Sequence, residues 1–326
     1  MFLVKKKPML TAGSLLIASS VMAGFAYNKK YSPAIWSIHV SKTDVPITRL
    51  DQAADFQTPA LTPEDVTDVP AVFVADPFLM QDENGYCLFF EVMNGETERG
   101  EIGLATSEDG ETWVYDRIVL KEDVHLSYPH VIKQGDDYYM IPESVEAEGI
   151  YLYKAASFPH EWQQVKKLVS GDYTDASLFQ YNHKWWMYAA GLDNKTLYLF
   201  WADELEGEWR PHPKSPLIKN DKSNSRPAGR VVIEDGRIYR YAQDDGPYYG
   251  HSIKGFEVTH LSEAGYEEKE IGVLLKGSGI EGDWRQDGMH HIDHLKLAGG
   301  GWLAAVDGHR FNHQNYILWK VKSMFR

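Results

Sequence analysis

The chain has one cysteine in 326 residues, so no intrachain disulfide can hold it together. Cys87 lies in the middle of an apolar run, where a thiol belongs to a core. With no second thiolate and no suitable ligand spacing, a structural zinc site is not expected. Basic residues are also scarce: 33 Lys and Arg stand against 47 Asp and Glu, a net charge of −14. That balance argues against nucleic acid, and against a basic patch docking on anionic lipid. The one long apolar run is N-terminal. Lys5, Lys6 and Lys7 precede a small-residue, apolar stretch from Met9 to Ala26. This pattern predicts a signal peptide or signal anchor over residues 1–30, hence an extracytoplasmic protein, membrane-tethered where the segment is retained. No cysteine follows the stretch in a lipoprotein-type position.

What the chain has in quantity is repetition. A run of β-branched and aromatic residues opens on a polar residue, crosses a Gly/Asp/Asn turn and returns to a polar residue. The clearest copies are VADPFLMQDENGYCLFFE and SYPHVIKQGDDYYMIPE, in which 52 residues separate Pro77 from Pro129 and Glu91 from Glu143. TDASLFQYNHKWWMYAA repeats the pattern with Asp175 in the place of Asp76, and SRPAGRVVIEDGRIYRYAQD and HHIDHLKLAGGGWLAAVD are looser copies. A third apolar run follows the first three hairpins and ends at Trp113, Trp162 and Trp209, spaced 49 and 47 residues apart. Strand-rich repeats of roughly 40–50 residues predict an all-β fold, a five-bladed β-propeller. The tryptophans are expected to pack between blades.

The fifth unit runs through NYILWKVKSMFR and lacks a fourth strand. An open edge is a liability, so the spare strand-like segment AIWSIHV (Ala34 to Val40) is expected to supply the outer strand of blade five. The organisation expected is a leader over 1–30, closing strand and strap over 31–70, and propeller over 71–326. It forms one large domain, expected to be a monomer.

In an antiparallel hairpin the start of the first strand and the end of the second share one edge. In a propeller the first strands line the axis, so the polar residues that bracket each repeat should gather on one face. They are Asp76 and Glu91; Tyr128, His130 and Glu143; Asp175; Arg226, Gln243 and Asp244; and His290, His291, Asp293, His294 and Asp307. Burying so many ionisable groups unpaired would cost several kcal/mol each, so a purely structural ring is disfavoured and a site is expected. In HHIDH, strand alternation puts His291 and Asp293 on one face and His290 and His294 on the other, so all four cannot bind a single metal. No cofactor is expected, beyond an axial Ca²⁺ that one or two of these groups would complete. Aromatics make up 13% of the chain, a richness that suits stacking on sugar rings as well as a core.

These motifs resemble the five-bladed propeller glycoside hydrolases acting on furanosides and related sugars, the arabinanase/xylosidase and invertase/levansucrase groups. Val74 to Pro77 looks like the blade-one motif that carries their catalytic Asp, which implies a base or nucleophile role for Asp76. The DPF, SYPH, PES, TDAS, SRPAG and HHID stretches are more similar still to the propeller at the N-terminus of plant glucosamine inositolphosphorylceramide transferases and its free-standing bacterial relatives. The chain departs from the hydrolases at two places. Tyr128 stands where they have a second Asp, and Asp175 stands where they have the acid Glu.

Glycoside chemistry needs one protonated and one ionised carboxyl. Asp76 is therefore expected as base or nucleophile and Glu143 as acid, with Asp175 the substitute for either. Glu91, Tyr128, His130, Arg226, Gln243, Asp244, His291, Asp293 and Asp307 are expected around the substrate, a glycan or glycoconjugate. The competing expectation is a glycan-binding propeller without turnover, assisting polysaccharide or glycolipid assembly.

Overall fold

The computed structural model describes residues 30–31, 33–50, 56–312 and 314–315. Among them there is no α-helix, only two single 3-10 turns, Pro63–Asp65 and Val145–Ala147. The chain divides into two units. In the smaller, residues 1–34 with 311–326, strand β1 (Lys30–Tyr31) pairs antiparallel with β21 (Gln314–Asn315).

The larger unit, residues 35–310, is a five-bladed propeller. Its sheets are built in sequence order, apart from β2 (Ala34–Thr43), which belongs to the last. Blade one is β3 (Ala71–Asp82), β4 (Gly85–Asn94), β5 (Arg99–Ser107) and β6 (Val114–Leu120). Blade two is β7 (Ser127–Gln134), β8 (Asp137–Glu143), β9 (Gly149–Ser157) and β10 (Glu161–Ser170). Blade three is β11 (Tyr173–Tyr181), β12 (Lys184–Gly191), β13 (Leu197–Ala202) and the short β14 (Arg210–Pro211). Blade four is β15 (Val232–Glu234), β16 (Arg237–Asp244), β17 (Ser252–Leu261) and β18 (Tyr266–Lys276). Blade five joins β19 (Ile292–Lys296), β20 (Trp302–Phe311) and β2. The turns follow their residues: Asp235 and Gly236 both take positive φ, 50° and 75°, the two-residue hairpin geometry that an Asp-Gly pair favours.

Each blade buries its faces against its neighbours, which produces five cores, one per interface. Phe89 and Leu104 of blade one meet Val131 and Met140 of blade two, with the thiol of Cys87 in the same cluster. Ile141 and Leu152 meet Leu178 and Met187, Phe179 and Tyr188 meet Val231 and Ile238, and Val232 and Tyr239 meet Ile292 and Trp302. Ile38, Val40 and Leu303 of blade five meet Val74 and Leu79 of blade one. The three repeat tryptophans lie in these interfaces. Trp113 lies between blades one and five, Trp209 between three and two, and Trp162 edge-on to Phe89 of blade one at 5.6 Å. Burying a large apolar side chain this way contributes roughly 1.5–3 kcal/mol, and the repeat supplies it at every joint.

Blade five departs from expectation. The sequence pattern assigns its third place to Asn315–Arg326 and its outermost to Ala34–Val40. In the structure β2 is hydrogen-bonded directly to β20 and takes the third place. The segment 316–326 lies outside the described residues, as do residues 1–29 of the expected leader. The burial of β2 explains its position: Trp36, Ile38 and Val40 are all covered, whereas outermost strands such as β6 and β10 are largely exposed. Beyond β2, Ile38 and Leu61 exchange backbone hydrogen bonds of 2.9 and 3.1 Å, so the strap shields part of the outer edge. Ile38→Ala should therefore cost about 2–5 kcal/mol, as a fully buried large-to-small change does, read as a lower urea midpoint at unchanged slope. An unchanged midpoint would mean that β2 contributes little to the fold.

Candidate axial site

The first three blades open with the same irregularity. The pairing of first and second strands skips between Ala75 and Phe78, between Ser127 and His130, and between Thr174 and Ser177. Within those gaps Asp76, Tyr128 and Asp175 take left-handed φ values of 54°, 46° and 50°. Non-glycine residues seldom adopt that conformation, and at a bulge it re-aims the side chain out of the ladder. In blade four the chain enters through Arg226, whose carbonyl accepts the N–H of Gln243 at 2.8 Å. Gly229 follows with φ 130°, and a Cβ there would sit 1.7 Å from the carbonyl oxygen of Ile292, so only glycine fits.

The side chains so aimed meet in one buried cluster. Asp175 accepts hydrogen bonds from Nε and Nη2 of Arg226 and, at 3.0 Å, from Nε2 of Gln243. Arg226 Nη2 also lies 3.6 Å from Oε2 of Glu143. Asp307 accepts the imidazole Nδ1–H of His290 at 2.7 Å, together with the backbone N–H groups of Asp76, His290 and His291 at 3.0, 3.1 and 2.9 Å. Asp76 accepts the N–H of Tyr128 at 3.2 Å on one oxygen, and its other oxygen lies 3.5 Å from His291 Nδ1 and 3.9 Å from His290 Nε2. Glu91 stands 3.4 Å from His125.

Charge separates these carboxyls into two kinds. Burial raises Asp76 to about 7, and the negative charges of Asp175 and Asp307 add to the shift against His290 and Arg226. Burial likewise drives Glu91 and Glu143 well above the carboxylate range, aided by Asp76 for the first and Asp175 for the second. Burial pushes Asp175 and Asp307 the same way, but Arg226 and His290 respectively outweigh it and hold both below their ordinary values. Asp307 in turn holds His290 above its ordinary value despite burial, whereas burial takes His291 down to about 3. The result is two ionised pairs, Asp175–Arg226 and Asp307–His290. Beside them burial and the charge of Asp175 push the Glu143 carboxyl toward its neutral form.

The structure thus brings together Asp76, Glu91, Glu143, Asp175, Arg226, Gln243, His291 and Asp307. Other residues expected there are engaged elsewhere. The Tyr128 hydroxyl is tied to Ser177 at 2.7 Å and receives the Gly229 N–H at 2.6 Å. His130 is fully buried beside Phe78, 4.9 Å between ring centres, and burial takes its imidazole well below the ordinary value. Asp293 pairs with Arg230 at 2.8 Å and receives the N–H of Leu79 at 2.7 Å, all within the interior. His294 receives the N–H of Ile47 at 3.0 Å and anchors the strap. Asp244 accepts the N–H of Gly246, while its neighbour Asp245 is the residue whose carboxyl feels Arg226 and His290. The alternation expected for HHIDH fails because β19 begins only at Ile292. His290 and His291, ahead of the strand, both approach Asp76.

Three contributors were missed. Tyr249 covers Arg226 at 5.3 Å and meets His290 edge-on, and Trp36 stacks on His290 at 3.9 Å. Asp245 and Tyr249 belong to DDGPYYG, a turn directly after the polar end of β16, and that adjacency was the available signal. Nothing in AIWSIHV marks Trp36 beyond its place in an alternating strand. One ligand atom each from Asp76, His290 and Asp307 lies within 4.8 Å of the others. A metal ion would have to displace the His290–Asp307 hydrogen bond to use them. Two open clefts, of about 650 and 510 Å³, lie between blades two and three and between blades one and two. Both are lined by the hairpin-turn ends of the strands, the ends away from this cluster.

The folded protein holds a proton on Asp76 that the unfolded chain would release near pH 4, so its burial costs stability as pH rises from about 4 to about 7. Asp76→Asn should leave the melting temperature near its wild-type value at pH 5 and raise it at pH 8, by roughly 1–3 kcal/mol in stability. A lower melting temperature at both pH values would show that the ionised carboxylate is stabilising.

The family model described as glucosamine inositolphosphorylceramide transferase 1, N-terminal, matches residues 44–309. Curated proteins named glucosamine inositolphosphorylceramide transferase 1 are 37% identical over 250 residues in Oryza sativa subsp. japonica and 33% identical over 251 in Arabidopsis thaliana, in each case 74% of this chain. The chain spans about a third of the length of those relatives, 34% and 33%. Among solved structures, the catalytic domain of Coprinopsis cinerea GH62 alpha-L-arabinofuranosidase shares the fold, with a TM-score of 0.57 at 10% identity over 85% of this chain and 97% of that one. Fold likeness at that identity carries no chemistry with it. The match over residues 44–309, most of the propeller, does decide kinship: the chain belongs to the family of glucosamine inositolphosphorylceramide transferase 1 N-terminal domains.

Proposed function

We propose that the propeller acts on a glycan or glycoconjugate at the axial cluster, as a glycoside hydrolase or transglycosylase, with Glu143 as acid and Asp76 as base or nucleophile. The observation that carries this reading is the division of labour among buried carboxyls. Glu143 keeps a proton beside the ionised Asp175, and Asp76 titrates near neutrality. In the reaction Glu143 gives its proton to the leaving glycosidic oxygen as the bond to the anomeric carbon breaks. Asp76 takes the proton of the incoming water or hydroxyl, or attacks that carbon itself. Asp175, locked to Arg226 and Gln243, is a poor proton donor and serves instead to hold Glu143 in place. The relatives are named glucosamine inositolphosphorylceramide transferase 1, which supports a carbohydrate role.

A second reading, glycan binding without turnover, is favoured by one feature. Asp76 and Asp175 are only 5% and 1% exposed, so a substrate must open the cluster before chemistry can begin. The same proposal has the propeller working outside the cytoplasm, on the strength of Lys5 to Lys7 and the apolar stretch after them. Among the described residues no helix is long and apolar enough to cross a membrane.

Turnover of a panel of aryl furanosides and pyranosides tests the first reading. Asp76→Asn and Glu143→Gln should each lower kcat by about 10²-fold or more. No turnover by the wild type, with equal glycan binding by all three proteins, would establish the second reading instead. Fractionation of the producing cell, with the intact N-terminal segment, should find the propeller in the extracytoplasmic fraction, and recovery from the cytoplasm would reject export.

A further inference from the structure

The net charge of −14 is spread unevenly along the chain. Eight of the 33 Lys and Arg fall in the smaller unit, residues 1–34 with 311–326, and none of the 47 Asp and Glu does. The whole acidic excess therefore belongs to residues 35–310. A balance that argues against anionic lipid for the chain as a whole does not hold for its smaller unit. Three of the eight stand ahead of the apolar stretch; the other five are Lys29, Lys30, Lys320, Lys322 and Arg326. Strands β1 and β21 draw the segments that carry those five together. Their ladder pairs Lys30 with Asn315 and Tyr31 with Gln314, and in the same register the Pro33 carbonyl accepts the Asn312 N–H at 2.9 Å. Because the two strands are antiparallel, the chain before Lys30 and the chain after Asn315 leave the ladder at the same end.

We propose that residues 27–31 and 316–326 together form a docking element for an anionic phospholipid bilayer, independent of the chemistry at the axial cluster. Three observations converge on it. The first is the charge, five cations with no acidic residue among them. The second is the pattern of YILWKVKSMFR, in which Ile317, Trp319, Val321 and Phe325 alternate with Lys320, Lys322 and Arg326. An extended chain of that sequence carries apolar groups on one side and cations on the other. Aromatic and cationic side chains in combination favour the boundary between water and an anionic bilayer. The third is the shared end of the ladder. The apolar stretch ends at Ala26, four residues before Lys30, a reach of at most about 14 Å. A membrane that holds the stretch therefore lies within that reach of Lys30 and of its ladder partner Asn315, the residue from which 316–326 departs. Removal of the stretch at Gly24 or Ala26 would leave residues 27–31 and 316–326 joined all the same. Nucleic acid would also attract the five cations, but it gives no place to the apolar side chains between them.

The test uses the full chain with one environment-sensitive fluorophore. Cys87 is the single cysteine and is buried, so an Ile317→Cys chain takes a nitrobenzoxadiazole label at the new thiol. In vesicles of phosphatidylglycerol with phosphatidylcholine the label should shift to the blue and be quenched by brominated acyl chains. Both effects should be lost in phosphatidylcholine alone, and at about 1 M salt, where the screening length falls to about 3 Å. Each cation near an anionic surface strengthens binding roughly fivefold, so Lys320→Gln, Lys322→Gln and Arg326→Gln combined should weaken it on the order of 100-fold and abolish the quenching. A label at Asn312→Cys, toward the other end of the ladder, should stay in water throughout. Quenching that is equal in both vesicles and indifferent to salt would overturn the anionic surface as the partner. A blue shift that is already complete without vesicles would assign the segment to the acidic propeller instead. A label that stays in water with every vesicle, or equal quenching at positions 312 and 317, would overturn the proposal outright. Each of these outcomes leaves the reading of the axial cluster untouched.

Discussion

The carboxylate of Asp307 is the interaction on which the axial end of the propeller depends. It collects four donors: the imidazole of His290 and the backbone N–H groups of His290, His291 and Asp76. One charged group thereby joins the entry of blade five to the entry of blade one, across the seam where the end of the propeller meets its beginning. A carboxylate buried this completely is tolerable only because every lone-pair direction is used. Removing it would strand three backbone donors and an imidazolium together, so its loss would be felt in the seam and in the site at once. The left-handed turn at Asp76 is tied to the same group, because the N–H that Asp307 receives belongs to that residue.

A second buried node ties the remaining blades. The Tyr128 phenol, entering from blade two, is bonded to Ser177 of blade three and to the backbone of Gly229 ahead of blade four, and Ser177 donates to the Gly229 carbonyl at 2.9 Å. Gly229 must be glycine for this approach to exist. The polar residues at the heads of the repeats therefore do two jobs. Asp307, Asp293, Tyr128 and His294 hold blades and strap together, and Asp76, Glu143, Asp175 and Arg226 form the buried cluster beside them. The structural group sets the geometry of the other, because bulged entries aim correctly only when their neighbours are pinned.

Much of this was legible in the chain. The 52-residue shift that carries Pro77 onto Pro129 also carries Glu91 onto Glu143, and both glutamates end second strands whose first strands open the cluster. Hairpin geometry then requires Asp76, Glu91, Glu143 and Asp175 to share one face, and they do. The tryptophans at regular spacing lie in the blade interfaces because each stands at or just before the start of a fourth strand and packs against the preceding blade. Strand period misled at HHIDH, since the rule of alternation applies only inside a strand and the two leading histidines precede it. The argument from an open edge placed Ala34–Val40 outermost in blade five, one position too far out, because pairing order depends on which strand faces must be covered.

The sequence by itself determined the blade count, the shared edge and the identity of most residues around it, since these follow from a local repeat and the two-residue period of a strand. Which of those residues pair with one another was decided by the tertiary structure alone. Asp76 and Asp307 lie 231 residues apart, Asp175 and Arg226 51, and Tyr128 and Gly229 101. No local pattern encodes which buried carboxyl receives the guanidinium and which is left with a proton. That outcome depends on distances of a few ångströms in a space from which water is excluded, where one paired charge fixes the state of its neighbours.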